Sequence, residues 1–316
     1  MGGQFWSVFV PAELGGGYAK TQLEQLDLAR RMIRRYPDHM APCRTADEVE
    51  AAMAAGRIGS LLGMEGGHVL EASLGALRAF RGLGAAYLTL THNRNNEWAD
   101  SATDEPQHGG LTDFGHEVVR EMNRLGMLVD LSHVSPATMA DALDTSEAPV
   151  IFSHSSARAI CDVPRNVPDD ILARLGTSGG ICMVTFVSGF ISRASADAAL
   201  PANAEIARRA AGIDDPTRLR AMRDEVLATV HIPRPALSEV ADHVDHVARV
   251  AGVDHVGIGG DYDGSVVWPV GLDDVSGYPL LFAELMGRGW TDVELAKLAN
   301  GNILRVMREA EAVARA

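Results

Sequence analysis

Short runs of β-branched and apolar residues alternate along this chain with longer stretches whose apolar residues recur at helical spacing. The runs fall at 4–10, 58–64, 86–90, 127–131, 150–152, 180–187 and 255–259. They are near-continuous rather than strictly alternating, which is the pattern of strands covered on both faces, as in a parallel sheet. Helix signals fill the intervals. Thr45 and Glu48 form a capping box ahead of a helix that Gly56 ends, and Thr291 with Glu294 forms a second box near the C-terminus. Ser135 followed by Pro136 reads as an N-cap with proline at the first helical position. Asn166 to Pro168 opens another helix, which Gly176 is expected to close. Regular β–α alternation predicts an α/β fold with a parallel sheet. A dinucleotide-binding fold is disfavoured, because no GxGxxG follows the first run and Gly257-Ile-Gly-Gly260 leads into Asp261 instead. The architecture expected is a TIM (β/α)8-type barrel, yet seven runs are counted where eight strands close such a barrel. The stretch 192–250 carries no strand signal. It is charged, Ala-rich and helical in spacing, and reads as a helical insertion, a solvated hairpin in preference to a lid over substrate.

Composition narrows the class of partner. The 316 residues fit one barrel-sized domain, 1–316. Lys and Arg total 28 against 42 Asp and Glu, a formal charge of −14. That balance argues against nucleic acid and against an anionic membrane surface, both of which require clustered cations. Cys43, Cys161 and Cys182 show no CxxC spacing, so neither a disulfide framework nor a cysteine zinc site is expected. The first positive side chain is Lys20, which leaves no basic leader region, and Trp6 breaks a myristoylation signal. No apolar run approaches the ~18 residues of a membrane span. These features lead to the expectation of a cytoplasmic protein with no nucleic-acid partner and no membrane span.

The chemistry is concentrated where the runs end. The endings read Met64-Glu65, Thr91-His92, Ser132-His133, Ser153-His154 and Gly260-Asp261. In a barrel the C-terminal strand ends converge on one face, so these five residues become neighbours. Neutral imidazole and carboxylate are the donors of a catalytic zinc site. Any one of them alone could be a hydrogen-bonded loop residue, but five at strand ends predict a metal site, and His255, which opens a strand, lies at the opposite end. His68, just past Glu65, reads as a supporting residue. His243-Val-Asp245 matches an HxD metal pair only superficially, since Val240, Val244, Val247 and Val250 place it on a helix. Arg165 lies in the loop after the strand ending at His154. Its planar fork suits a carboxylate, and a helix-flanking surface arginine is the competing reading.

With these motifs in place, the chain resembles the membrane (renal) dipeptidase family of zinc peptidases. The resemblance rests on Gly2-Gly-Gln-Phe-Trp-Ser-Val8, Gly63-Met-Glu-Gly-Gly-His68, Tyr87-Leu-Thr-Leu-Thr-His-Asn93 and Asp130-Leu-Ser-His-Val134. It continues through Pro149-Val-Ile-Phe-Ser-His-Ser-Ser156, Arg165-Asn-Val-Pro-Asp-Asp170, Gly259-Gly-Asp-Tyr-Asp-Gly264 and Asn300-Gly-Asn-Ile-Leu-Arg305. It implies a metal-dependent hydrolase barrel with two zinc ions, in which Glu65 bridges the metals and His133 and His154 are ligands of one. His92 falls on the substrate-binding histidine, Arg165 on the carboxylate-binding arginine and Asp261 on the strand-eight aspartate. Family members also carry an earlier strand with an Asp-Gly-His-Asn-Asp-like motif that binds the other zinc. Nothing here matches it, so one zinc site is expected to be largely retained and the first barrel strand is expected to be absent. The true start of the protein is left open on the same ground.

The reaction implied is hydrolysis of a dipeptide by metal-activated water attacking the peptide carbonyl. Glu65, His92 and Asp261 are the candidate catalytic residues: Asp261 moves the proton, and His92 faces the developing oxyanion. Arg165, with His92 and Asp261, binds substrate. An N-acyl-D-amino acid or other small amide is the alternative substrate, and a truncated, non-catalytic zinc- or carboxylate-binding protein is the alternative from another class. The expected partners are a small dipeptide and, as an option left open, a second copy in a homodimer.

Overall fold

The computed structural model describes residues 1–210, 212–213 and 215–315. Its strands are β1 (Gly3–Phe9), β2 (Met40–Pro42), β3 (Ile58–Glu65), β4 (Ala85–Thr89), β5 (Leu128–Asp130), β6 (Ile151–Phe152), β7 (Ile181–Val184) and β8 (Val256–Ile258). All seven apolar runs of the sequence become strands of one parallel sheet, ordered β1-β3-β4-β5-β6-β7-β8. The eighth, β2, has no counterpart among those runs. It is three residues ending in Pro42 and pairs with the start of β3, below the point where β4 joins at Leu62. Among the described residues β1 and β8 are each paired on one side only, so the curled sheet has two edges.

Side-chain alternation divides the core. Leu62, Met64, Leu88, Val129, Phe152 and Cys182 point out towards the helices. Leu61, Tyr87, Leu128, Ile151, Ile181 and Met183 fill the interior of the curl. The helix Asn302–Arg315 closes the floor, adding Leu304, Val306, Met307 and Ala310 to that interior set. Asn302 Nδ2 donates to Val256 O at 2.8 Å, and Arg305 Nη1 donates to Gly179 O at 2.7 Å, which ties this helix to the N-terminal ends of the strands. The lower interior is thus apolar, and Glu65 and Asp130 stand at the upper ends of β3 and β5.

Both capping boxes form, at Thr45/Glu48 and Thr291/Glu294, and Ser135 caps the helix Pro136–Thr145. The helix after Pro168 does not stop at Gly176. It runs over Asp169–Ser178 and ends at Gly179, which takes φ 81°. Gly176 lies inside it because a Cβ there would come 2.6 Å from Ala251 O, so the glycine serves close packing rather than termination.

The expected insertion at 192–250 is shorter than its composition suggests, and residues 211 and 214 of it lie outside the described residues. Helices Arg193–Ala210 and Pro216–Leu227 share a small apolar cluster of Ala202, Ala210, Leu219, Met222 and Val226. Helix Leu237–Ala251 instead buries Val240, Val244 and Val247 in the main core, so it belongs to the barrel layer. Nor is the hairpin simply solvated. Ala207, Ala210 and Gly212 form one wall of a cavity of about 490 Å³ whose other wall includes Tyr18, His68 and Asn96. Among the described residues, no helix is long and apolar enough to cross a membrane.

Candidate metal centre

Glu65 ends β3, and His154 follows β6. In a flat sheet strands three steps apart lie about 14 Å from one another. Here Glu65 Oε1 is 3.3 Å from His154 Nε2, so the curl of the sheet brings them together. The same oxygen is 3.0 Å from His133 Nε2, and the two histidine Nε2 atoms are 2.9 Å apart. Glu65, His133 and His154 are the one group of three metal-capable side chains found among the described residues.

Local chemistry determines what those atoms present. Ser7 Oγ donates to Glu65 Oε2 at 2.8 Å, leaving Oε1 to face the histidines. Asn93 Oδ1 lies 3.1 Å from His133 Nδ1 and accepts its N–H. Ser153 Oγ lies 2.7 Å from His154 Nδ1 and accepts there, because its own proton goes to Asp130 Oδ2 at 2.6 Å. Both imidazoles therefore turn an Nε2 lone pair inward. Two nitrogen lone pairs and a carboxylate oxygen at such distances repel unless positive charge lies among them. Tetrahedral ligands of one zinc ion stand roughly 3.3 Å apart for Zn–N bonds near 2.0–2.1 Å, so the donor set and its spacing fit a divalent metal.

The proton affinities agree. Burial works to raise the Glu65 carboxyl, but without a metal a proton shared with the Nε2 atoms of His133 and His154 takes the place of the positive charge, outweighs burial and holds the group well below its usual range. Burial, reinforced by the Arg165 cation, pushes His133 well down. Burial also opposes charge on His154, yet Asp261 and Glu65 together raise it. The pocket draws positive charge to the place where a metal would sit. His133 reaches the site with φ 70° and Asp261 with φ 58°, left-handed conformations that cost a non-glycine residue of order 1–3 kcal/mol. Gly66 takes φ 112°, and a Cβ on Gly67 would lie 2.4 Å from Trp98, so the paired glycines after Glu65 are steric necessities.

His92 borders the cluster, with Nε2 3.9 Å from Glu65 Oε1 and its ring 4.4 Å from Phe9. Burial lowers its pKa to about 3, so it is neutral near pH 7. Asp261 is half-buried and outside the three-residue group. Burial raises it to about 6, against the opposing pull of His154. Arg165 is buried, contrary to the surface alternative. Its Nη atoms reach Ser155 Oγ and His154 O at 3.4 Å, it lies over Phe190, and its Nε has no hydrogen-bond partner among the described residues. His68 bonds to Val10 O at 2.9 Å and supports the end of β1 rather than any of the three donors. His243 lies on a helix and is used by the backbone, as its spacing suggested. Sequence reasoning missed Ser7, Asn93 and Ser153, of which the last two stand directly beside His92 and His154 in the chain.

A curled, barrel-like parallel sheet bearing this cluster at its strand ends defines a metal-dependent hydrolase class. The profile of the membrane dipeptidase family (peptidase family M19) matches residues 1–316, and the chain belongs to that family. Dipeptidase 3 of Rattus norvegicus is 42% identical over 319 residues, covering 99% of this chain and 57% of that protein, so the chain spans little more than half of that relative. Among solved structures, the probable dipeptidase PvdM of Pseudomonas aeruginosa superposes with a TM-score of 0.85 at 26% identity, covering 99% of this chain and 87% of that one. A Rhodobacter sphaeroides metallopeptidase, solved with a phosphinate mimic of the dipeptide L-Ala-D-Ala, gives 0.79 at 25% identity, covering 98% and 87%.

Proposed function

We propose that the chain is a zinc-dependent dipeptidase. The observation that carries this reading is the convergence of Glu65, His133 and His154 beside a buried arginine whose Nε has no partner among the described residues. Family membership and the dipeptide mimic bound by the Rhodobacter relative support a dipeptide as substrate. Glu65, His133 and His154 would hold one zinc ion. When bound, it would polarise the scissile carbonyl and lower the pKa of water.

The remaining steps belong to side chains. Arg165 takes the substrate's C-terminal carboxylate on its planar fork, which fixes a two-residue substrate in register. His92, neutral at working pH, offers an N–H to the carbonyl oxygen as negative charge develops there. Asp261, with a pKa of about 6, is ionised near neutrality yet basic enough to take a proton from the attacking water. It then returns that proton to the leaving amine.

The test is a panel of free and C-terminally amidated dipeptides, assayed before chelation, after it and after zinc is restored. The reading expects hydrolysis of free dipeptides, loss on chelation, recovery with about one zinc per chain, and poor turnover of the amides. Two tight zinc ions per chain would overturn the ligand assignment, and chelator-resistant hydrolysis would overturn the metal.

A further inference from the structure

We propose that Asp130, acting through Ser153, sets the tautomer of His154 and so is a positioning residue of the metal centre; this rests on the metal reading above. Asp130 ends β5 and is completely buried, yet among the described residues it forms no ion pair and lies outside the donor group. Four donors converge on it. Thr89 Oγ1 and Ser153 Oγ each donate to Oδ2 at 2.6 Å. The backbone N–H groups of Ser132 and Ser153 donate to Oδ1 at 3.1 and 2.9 Å. With four donors directed at its two oxygens, the Asp130 carboxyl serves as an acceptor.

The consequence passes along one hydroxyl. Ser153 has a single hydroxyl proton, and Asp130 claims it. A lone pair of Ser153 Oγ is thereby left for His154 Nδ1 at 2.7 Å, so Nδ1 carries the ring proton. Nε2 is then free, 3.3 Å from Glu65 Oε1 and 2.9 Å from His133 Nε2. The serine acts as an adapter that reports the charge of Asp130 as a choice of histidine tautomer.

Asp130→Asn would reverse the message. The two backbone N–H groups cannot turn, so they hold the amide oxygen, and the amide NH2 must face Thr89 and Ser153. Ser153 then accepts from the amide and donates to His154 Nδ1, which moves the ring proton to Nε2 and blocks the lone pair a metal needs. Ser153→Ala merely removes the adapter.

Zn2+ and Co2+ affinities of the full chain, measured by competition with a chromophoric chelator and by the Co2+ absorption spectrum, test this. Ser153→Ala should weaken binding about 10- to 100-fold. Asp130→Asn should weaken it at least about ten-fold more, and the double variant should recover to the Ser153→Ala level. Thermal melts of each variant separate loss of ligand geometry from loss of fold. Wild-type affinity in Ser153→Ala, or a double variant as weak as Asp130→Asn, overturns the proposal. If wild type binds metal, His133→Ala does not, and the Asp130 and Ser153 variants match wild type, this inference alone fails. If wild type binds neither ion, the metal reading fails with it.

Discussion

Arg165 carries its charge into a place where no carboxylate of the described residues lies at ion-pair distance. Its contacts are a hydroxyl and a carbonyl, each at 3.4 Å, and the face of Phe190, while burial lowers its pKa to about 10. A buried guanidinium so poorly satisfied contributes little to stability, and replacing buried charge with an apolar side chain of similar volume is often stabilising by about 1–4 kcal/mol. Arg165→Met is therefore expected to raise the melting temperature while abolishing the dipeptide turnover proposed above. Arg165→Lys keeps the charge but loses the fork, and should raise KM about 10- to 100-fold, the worth of a charged hydrogen bond. Melts and Michaelis constants on the two variants decide it; a strongly destabilised Arg165→Met would show the arginine to be structural. Glu65, His92, His133 and His154 were legible in the sequence because each follows an apolar run and barrel strand ends converge. Ser7, Asn93, Ser153 and Asp130 were not. Serine and asparagine are common in every loop, and what these contribute is which lone pair of a neighbouring ring stays free, a property of geometry that composition does not carry.

Single elements depend on equally local contacts. Helix Leu237–Ala251 is pinned by His243, whose Nδ1 accepts from Ala157 N–H at 3.1 Å and whose Nε2–H donates to Ile191 O at 3.0 Å. Both nitrogens are used by the neutral ring, and burial lowers the pKa from 6.5 to about 4. Between those values the unfolded chain binds a proton that the folded chain refuses, so stability falls as pH falls through this window and is unaffected by this group above it. At about 1.4 kcal/mol per pH unit, the loss is about 3 kcal/mol by pH 4. His92 and His133, also depressed, act in the same direction, so the contrast with His243→Gln isolates this residue. The variant should lose some stability at pH 7 and show a flatter decline between pH 6.5 and 4 in urea titrations. Equal slopes would show that His243 does not titrate in unfolding. The strongest local signals, capping boxes and apolar runs, gave the elements their places in the sequence reading. Gly176 and the three-residue β2 escaped it because their roles depend on Ala251 and β3, which are remote in sequence.

At the scale of the whole molecule the sheet is asymmetric. β3 and β4 pair on both sides, and the interior beneath the candidate metal centre is sealed by the last helix. β1 and β8 each have one edge without a strand partner among the described residues, a template for another strand, although Asn302 Nδ2 already takes Val256 O on β8. A formal charge of −14 sets copies of the chain against one another and so discourages edge-to-edge association. Successive N–H groups of a strand point to opposite sides, so half of those in β1 face β3 and half face away. Hydrogen exchange on the 316-residue chain should therefore split β1 into alternating slow and fast amides. Amides of β3 and β4, strands with a partner on each edge, should exchange only by global unfolding. Raising the salt screens the repulsion, and with it the fast β1 amides should slow in proportion to protein concentration as edges meet. Uniformly slow β1 amides at low concentration would mean that this edge is paired within the chain, and the open-sided description of the sheet would have to be abandoned.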